Sequence, residues 1–190
     1  MKIELFKPTK PWILTQEWGV YSDFYKPFGF TRHNGVDTKI VDRVTRVKAP
    51  FDCFVYKIGF QPEGGGLFVG LISKNGYIFP DGKVGRVLVD FLHLHQVLVT
   101  PGQNLNVGDD VAVCDNTGKA STGPHLHSQW RRGTYDGTTF NVMDENGANN
   151  SFDPEPYFTL FAEDYKNSLT LLGQIKLKVA ELLEKYGKNI

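Results

Sequence analysis

Short apolar runs separated by turn residues dominate the first 150 residues of the chain. The runs are rich in Val, Ile, Phe and Tyr, and the Gly, Asn and Asp residues between them are typical of tight turns joining β-strands. This pattern predicts strands at residues 3–6, 12–15, 36–40, 53–58, 67–73, 87–94, 111–114, 125–131 and 139–142. Long helical periodicity is absent over this stretch. The sequence therefore predicts a mainly β fold, an antiparallel β-sheet or sandwich.

The pattern changes to a helical one after residue 150. Asp153 and Pro154 are typical of a helix start, with Asp153 as the cap and proline in the first turn. Residues 163–186 are predicted to form one α-helix, and Gly187 is its candidate C-cap. The apolar residues of that helix recur at steps of three and four: Leu169, Leu172, Ile175, Val179, Leu182, Leu183 and Tyr186.

These two patterns divide the chain into a β domain at residues 1–161 and a C-terminal helical extension at residues 162–190. The broad apolar stripe of the helix fits three arrangements. The helix can pack back on the β domain, pair with a copy of itself, or dock onto a larger assembly such as a virion.

Two polar loops are predicted to be unusually long, one at residues 59–66 and one at residues 132–151. Long loops in a compact β domain often form the walls of a cleft. Solvated surface is the alternative interpretation.

Composition narrows the possible functions. Lys plus Arg and Asp plus Glu both number 21, so the formal net charge is zero. Binding to nucleic acid or to an anionic membrane through excess basic residues is therefore not expected. The two cysteines, Cys53 and Cys114, are too few for a disulfide scaffold, and we expect buried thiols. We find no apolar run long enough to span a membrane and no signal peptide.

The histidines carry the chemical signal. His125 and His127 are two apart in a predicted strand, so both rings should project from one face. The same alternation predicts that His93 and His95 share a face, with leucines opposite. A single histidine is more often a satisfied core or surface residue, whereas such pairs indicate a metal or acid–base site.

His33 and Asp37 add a second signal. They are four residues apart, close enough to reach one ion, and Gly35 between them can let the backbone turn. Zinc accepts histidine nitrogen and carboxylate oxygen, and catalytic zinc sites leave the fourth position to water. A His-Glu-x-x-His helix and a phosphate-binding loop are both absent from the sequence.

Three motifs in this order resemble the lysostaphin-like (LytM-type) zinc endopeptidases, which cut peptides of bacterial peptidoglycan. The resemblance covers roughly residues 12–158. The motifs are His33-Asn34-Gly35-Val36-Asp37, Phe91-Leu92-His93-Leu94 and Ser121-Thr122-Gly123-Pro124-His125-Leu126-His127.

The resemblance implies a role for each matched residue. His33, Asp37 and His127 would ligate one zinc ion per chain. His93 and His125 would be catalytic, flanking the attacking water, with one as the base and the other stabilising the oxyanion. His95 matches no family position, and we interpret it either as a neighbour of the site or as a solvated strand residue.

Besides a loop inserted near residues 79–85, the sequence departs from the family pattern at two places in or beside the motifs. Phe91 stands where the family often has Tyr, and a hydroxyl contact is lost there. Ser128 and Gln129 stand where the family often has an aromatic residue and an acid. Gln129 or a backbone carbonyl would then replace the carboxylate that supports a ligand histidine.

The family implies a peptidoglycan peptide as the substrate, a short cross-link rich in glycine or D-amino acids. With no signal peptide found, we predict a bacteriophage origin, as a lysin released at lysis or as a tail component. The alternative is a bacterial enzyme that has no leader or has lost it. The alternative functions are a catalytically inactive relative that binds the wall or acts as an activator, and a structural component of a virion.

Overall fold

A computed structural model describes residues 1–42, 44–143 and 150–186, with helix side chains up to residue 176 and at 178 and 179. The strands of this described part are β1 (Leu5–Lys7), β2 (Leu14–Gln16), β3 (Val36–Lys39), β4 (Arg46–Lys48), β5 (Cys53–Gln61), β6 (Gly66–Ser73), β7 (Tyr77–Ile78), β8 (Val84–Val97), β9 (Asn104–Leu105), β10 (Asp110–Cys114), β11 (His125–Tyr135), β12 (Phe140–Val142) and β13 (Phe158–Phe161). Helix α1 spans Ala162–Tyr186, and 3-10 turns lie at Asp23–Phe28 and Glu155–Tyr157.

One large antiparallel sheet carries most of these strands. Its main path runs β2-β3-β11-β8-β6-β5-β9, and β4, β7, β10 and β12 pair off this path. Strands β1 and β13 pair separately and in parallel. The predicted fold class, antiparallel β with a C-terminal helix, is confirmed.

Alternation along the central strands separates the core from a functional face. The main core includes Phe91 and Leu94 of β8 and Leu126 and Trp130 of β11, all fully buried. On β11, His127 and Gln129 alternate with the core residues and point to the opposite face of the sheet. Cys53 and Cys114 are buried free thiols, as predicted, and burial raises the pKa of each to about 12.

The predicted long loops are wrong where the structure describes them. Strands β5 and β6 stay paired to the very end of the hairpin, with Gln61 opposite Gly66, so residues 62–65 form a short turn. The second predicted loop begins as strand, because β11 continues to Tyr135 and forms a hairpin with β12. The part of that loop at 144–149 lies outside the described residues.

Helix α1 contacts the β domain through its first turn. The Tyr165 ring lies 4.5 Å from that of Phe6, and Lys166 Nζ lies 2.7 Å from Asp109 Oδ1. Further along, side chains of the apolar stripe are about half exposed, from 52% at Leu172 to 48% at Val179. The predicted start at Asp153 is a 3-10 turn that passes into β13, and Gly187 lies outside the described residues. No helix among the described residues has the length and apolar character needed to cross a membrane.

Candidate metal centre and its cleft

An open cleft of about 520 Å³ lies over the face of strands β3, β11, β8, β6 and β5 that is opposite the core. Four aromatic side chains from the 3-10 turn and the residues after it line one side: Phe24, Tyr25, Phe28 and Phe30. The tip of the β5–β6 hairpin, with Gly64 and Gly65, lines another. The cleft-wall interpretation therefore holds for the first predicted loop, whereas no described residue of segment 132–151 lines the cleft.

Strand pairing brings the predicted ligand residues together on the cleft floor. His127 of β11 lies directly opposite Asp37 of β3, and His33 immediately precedes β3. Leu126 points into the core, so the predicted alternation through His125-Leu126-His127 is confirmed.

The donor atoms of these three residues converge on one point. His127 Nδ1 lies 2.8 Å from Asp37 Oδ1, His33 Nε2 lies 3.2 Å from the same oxygen, and the two nitrogens are 3.1 Å apart. A tetrahedral zinc ion with bonds of 2.0–2.1 Å separates its ligand atoms by about 3.3 Å. Two imidazole nitrogens and one carboxylate oxygen at this spacing fit zinc in both chemistry and size.

Backbone and aromatic contacts hold His33 in its orientation. Its Nδ1–H donates to the carbonyl of Glu17 at 2.8 Å, which leaves Nε2 free toward Asp37. Tyr25 stacks on the ring at a centroid distance of 5.6 Å. The sequence analysis expected either Gln129 or a backbone carbonyl to support a ligand histidine, and for His33 the support is the Glu17 carbonyl.

Gly35 is required by close packing and not by an unusual backbone angle. The backbone bends at this residue, as predicted, but its φ lies outside the left-handed region. A Cβ at this position would lie 2.4 Å from the Ser128 carbonyl oxygen and 2.7 Å from His127 Nε2. The missing side chain therefore lets the His33 segment approach the ring of His127.

His93 and His125 form a second pair beside the His–Asp–His set. Their ring centroids are 4.7 Å apart, and His125 Nε2 lies 3.6 Å from Asp37 Oδ1. His93 Nδ1 donates to the Thr117 carbonyl at 2.9 Å, and His125 Nδ1 donates to the Gly123 carbonyl at 2.7 Å. Both hydrogen bonds use Nδ1, so Nε2 of each ring is free to exchange a proton.

The charges of the site follow from burial and from mutual contact. Burial opposes ionisation of Asp37, but its hydrogen bonds to His127 and His33 and their charges outweigh burial and hold its pKa well below the usual range. Burial, with repulsion from His127, lowers the pKa of His93 to about 4. Burial also lowers the pKa of His127, against the attraction of Asp37. Binding of a divalent cation requires an anionic Asp37 and unprotonated ligand nitrogens on His33 and His127.

A bulge in β8 overturns the prediction that Leu92 lies on the face opposite His93. His93 has a φ of 62°, and the register with β6 shifts between Val69–Phe91 and Leu67–Leu94. The extra residue turns Leu92 and His93 both toward the cleft. His95 follows the buried Leu94 and does not line the cleft. Its side chain is 63% exposed and its Nδ1 lies 3.4 Å from Asp115 Oδ2, which agrees with the solvated interpretation.

The two departures from the family pattern lie on different faces. Phe91 is fully buried in the core against Trp130 and does not line the cleft. Gln129 lines the cleft, but its Oε1 accepts from Arg131, so it does not support a ligand histidine.

Sequence reasoning missed the groups that orient the rings. Glu17, Thr117 and Gly123 act through backbone carbonyls, and no side-chain pattern identifies a carbonyl. It also missed Tyr25, Lys57 of β5 and Asp90 of β8, which line the cleft. Counting the strand residues that face the same side of the sheet as His127 could have found Lys57 and Asp90.

An antiparallel β domain with a His–Asp–His set open to a cleft is suited to metal-dependent hydrolysis. A model of peptidase family M23 matches residues 31–142, more than half of the chain, and the chain belongs to this family of metallopeptidases.

Individual relatives agree with this family. The catalytic domain of the antimicrobial peptidase lysostaphin from Staphylococcus simulans is 26% identical, with a TM-score of 0.55 over 77% of this chain and 91% of that one. LytU is 26% identical, with a TM-score of 0.56 over 78% and 85%. An uncharacterized metalloprotease of Haemophilus influenzae is 37% identical over 98 residues, 52% of this chain. The match spans 18% of that relative's length.

Proposed function

We propose that the chain is a zinc-dependent endopeptidase that hydrolyses amide bonds in the stem peptides or cross-bridges of peptidoglycan. The single observation that carries the proposal is the convergence of His33 Nε2, Asp37 Oδ1 and His127 Nδ1 within 3.2 Å of one another on the floor of an open cleft. Residues 1–161 would form the peptidase domain, and residues 162–190 a helical extension.

His33, Asp37 and His127 would hold one zinc ion. When bound, zinc supplies Lewis-acid polarisation of the scissile carbonyl and makes water acidic enough to attack near neutral pH. The anionic Asp37 offsets part of the positive charge at the site. Glu17 and Tyr25 keep the His33 ring in place, and this lowers the cost of ordering the ligand set.

His93 and His125 would move the protons. Each donates Nδ1–H to a backbone carbonyl, so each presents an unprotonated Nε2 to the cleft. One ring can accept the proton of the attacking water and return a proton to the leaving amine. The other can stabilise the negative charge that develops on the carbonyl oxygen. The rings lie side by side and both fit either role.

The cleft supports a peptide substrate. It is open at the surface, and its aromatic and polar lining residues can hold an extended peptide of several residues. Lysostaphin, which is similar over most of the β domain, is an antimicrobial peptidase. A cross-link rich in glycine or D-amino acids remains the proposed substrate.

The biological setting stays a prediction. A released lysin and a component of a phage tail both place such an enzyme at the bacterial wall. The half-exposed stripe of α1, with Leu169, Leu172, Ile175 and Val179, supports self-association or docking on a virion.

The alternative is an inactive relative that binds the wall, activates another enzyme or builds a virion. Relatives that have lost activity have usually lost ligand residues, whereas all five matched positions are retained here.

Two measurements on the purified protein test the proposal. We expect about one zinc per chain by emission spectroscopy, and a zinc-dependent loss of turbidity with purified sacculi. Zinc without loss of turbidity would favour the binding module, and absence of zinc would contradict the metal site.

A further inference from the structure

A row of polar residues crosses the cleft floor beside the metal centre. Lys57 of β5 lies opposite Gly70 of β6, Gly70 lies opposite Asp90 of β8, and Asp90 lies opposite Gln129 of β11. Gly70 has no side chain, so Lys57 reaches across it to within 3.7 Å of Asp90 Oδ1. A Cβ on Gly70 would lie 2.6 Å from that oxygen. The register therefore builds one continuous polar surface across four strands.

Arg131 completes this surface, which we call the polar floor: Lys57, Asp90, Gln129 and Arg131. All four side chains line the cleft. Arg131 donates to Asp90 Oδ2 and to Gln129 Oε1. The polar floor has two cations and one carboxylate, so it keeps a net positive charge.

Two buried atoms of the polar floor lack a hydrogen-bond partner: Asp90 Oδ1 and Gln129 Nε2. Both residues are only 4% exposed. An unpaired buried polar atom is costly, so a ligand that supplies a partner is favoured. Arg131 can only donate, which fixes the Gln129 amide with its oxygen toward Arg131 and leaves its N–H groups unpaired.

The open groups of the polar floor are two donors and one acceptor, Asp90 Oδ1, which faces the Lys57 ammonium at 3.7 Å. Gln129 Nε2 is unpaired, and Lys57 Nζ sits at the solvent side of the row with its side chain 41% exposed. Asp90 neutralises part of Arg131 and faces Lys57 with its other oxygen. A carboxylate ligand can accept hydrogen bonds from the Lys57 ammonium and the Gln129 amide at once. The carbonyl oxygen of a neutral ligand would accept them less strongly.

We propose that Lys57 and Gln129, backed by Arg131, bind a carboxylate of the peptide substrate. Gln129 and His127 share a face and are two residues apart on β11, which separates them by about 7 Å. An extended peptide spans this distance with two residues. The site would thus select peptides that carry an acidic side chain or terminal carboxylate about two residues from the scissile bond. This inference rests on the proposed peptidase function.

The test compares native sacculi with sacculi whose carboxylates have been converted to carboxamides by carbodiimide and ammonia. We expect the zinc-loaded full chain to release peptides from native sacculi about three- to tenfold faster than from amidated sacculi, the range for one partly exposed charged hydrogen bond. Lys57→Gln and Gln129→Glu should remove this preference while keeping one zinc per chain. Gln129→Glu keeps the oxygen that accepts from Arg131 and removes the donor.

Lys83→Gln is the matched control, because Lys83 is exposed and lies outside the cleft lining. It removes the same charge and should keep the preference of the wild type. Equal rates of the wild type on both sacculi, or an unchanged preference in Lys57→Gln, would overturn the inference.

Cosedimentation separates this inference from the proposed function. If the zinc-loaded chain releases nothing from either substrate, the peptidase proposal fails, but binding to the two kinds of sacculi can still be compared. Stronger binding of the wild type to native sacculi, lost in Lys57→Gln and kept in Lys83→Gln, would support the carboxylate site. Equal binding would overturn it.

Discussion

At the scale of single residues, the histidines of the site differ in which ring nitrogen is free and what that nitrogen faces. His33 Nε2 and His127 Nδ1 face Asp37 at hydrogen-bonding distance, whereas the free Nε2 of His125 is 3.6 Å from that carboxylate. We expect the Ala variants of His33, Asp37 and His127 to lose zinc together with activity. The Ala variants of His93 and His125 should keep about one zinc per chain while turnover falls by about 10²–10⁴-fold.

Zinc content and cleavage rate, measured side by side, check this division. His95→Ala is the control, because its side chain is exposed and does not line the cleft, and it should change neither quantity. Loss of zinc in His125→Ala with retention in His127→Ala would reverse the two assignments.

Gly35 offers a second test at this scale. Gly35→Ala would place a Cβ 2.4 Å from a backbone oxygen, which cannot move as a side-chain tip could. We expect a loss of unfolding free energy of about 1–3 kcal/mol and weaker zinc binding, measured by denaturant unfolding and zinc titration. Gly173→Ala in α1 meets no atom within 4 Å and should not destabilise. Equal stability of Gly35→Ala and wild type would show that the His127 ring is not tightly packed.

The paired histidines of β11 were predictable because an unbroken strand alternates strictly, and Leu126 and Trp130 fix which face is the core. The position of Leu92 in the cleft was not predictable, because the bulge that puts it there depends on how β8 pairs with β6. The orienting carbonyls of Glu17 and Thr117 were also beyond sequence reasoning, since any residue supplies a carbonyl.

At the scale of elements, all nine predicted strands are present, although their ends differ, whereas β4, β7, β9 and β13 were not predicted. Gly59 and Gly66 look like loop residues in the sequence, yet both lie in paired strands, because tertiary pairing overrides their low strand propensity. The bounds of α1 agree closely with the helix predicted from the apolar periodicity. The periodicity does not identify what packs against the apolar face.

The position of α1 predicts that most of it is dispensable for zinc chemistry. A chain ending at Ser168 keeps the first-turn contacts of Tyr165 with Phe6 and of Lys166 with Asp109. We expect it to fold, to bind one zinc and to cleave sacculi with unchanged specific activity, measured beside the full chain. Loss of zinc from the folded, shortened chain would contradict this prediction.

At the scale of the whole molecule, the metal should stabilise the fold, because its ligands join β3 to β11 and are brought together only in the folded chain. Zinc at 100 times its dissociation constant adds about 2.7 kcal/mol. For a chain of this length we expect a rise in Tm of roughly 5–10 °C, measured by calorimetry with chelator and after zinc addition. Asp37→Ala should show no such rise, and magnesium should not replace zinc. An equal Tm with and without zinc would contradict a site built from both strands.

The measurement that tests the central proposal most directly is mass spectrometry of the fragments released from sacculi by the zinc-loaded, the chelated and the zinc-restored chain. A zinc endopeptidase should release peptides with new free amino groups and no new sugar ends. Release should stop on chelation, return with zinc, and be absent for Asp37→Ala under every condition. Fragments with new sugar ends, or release that persists in Asp37→Ala, would contradict peptide hydrolysis at the His33, Asp37 and His127 site.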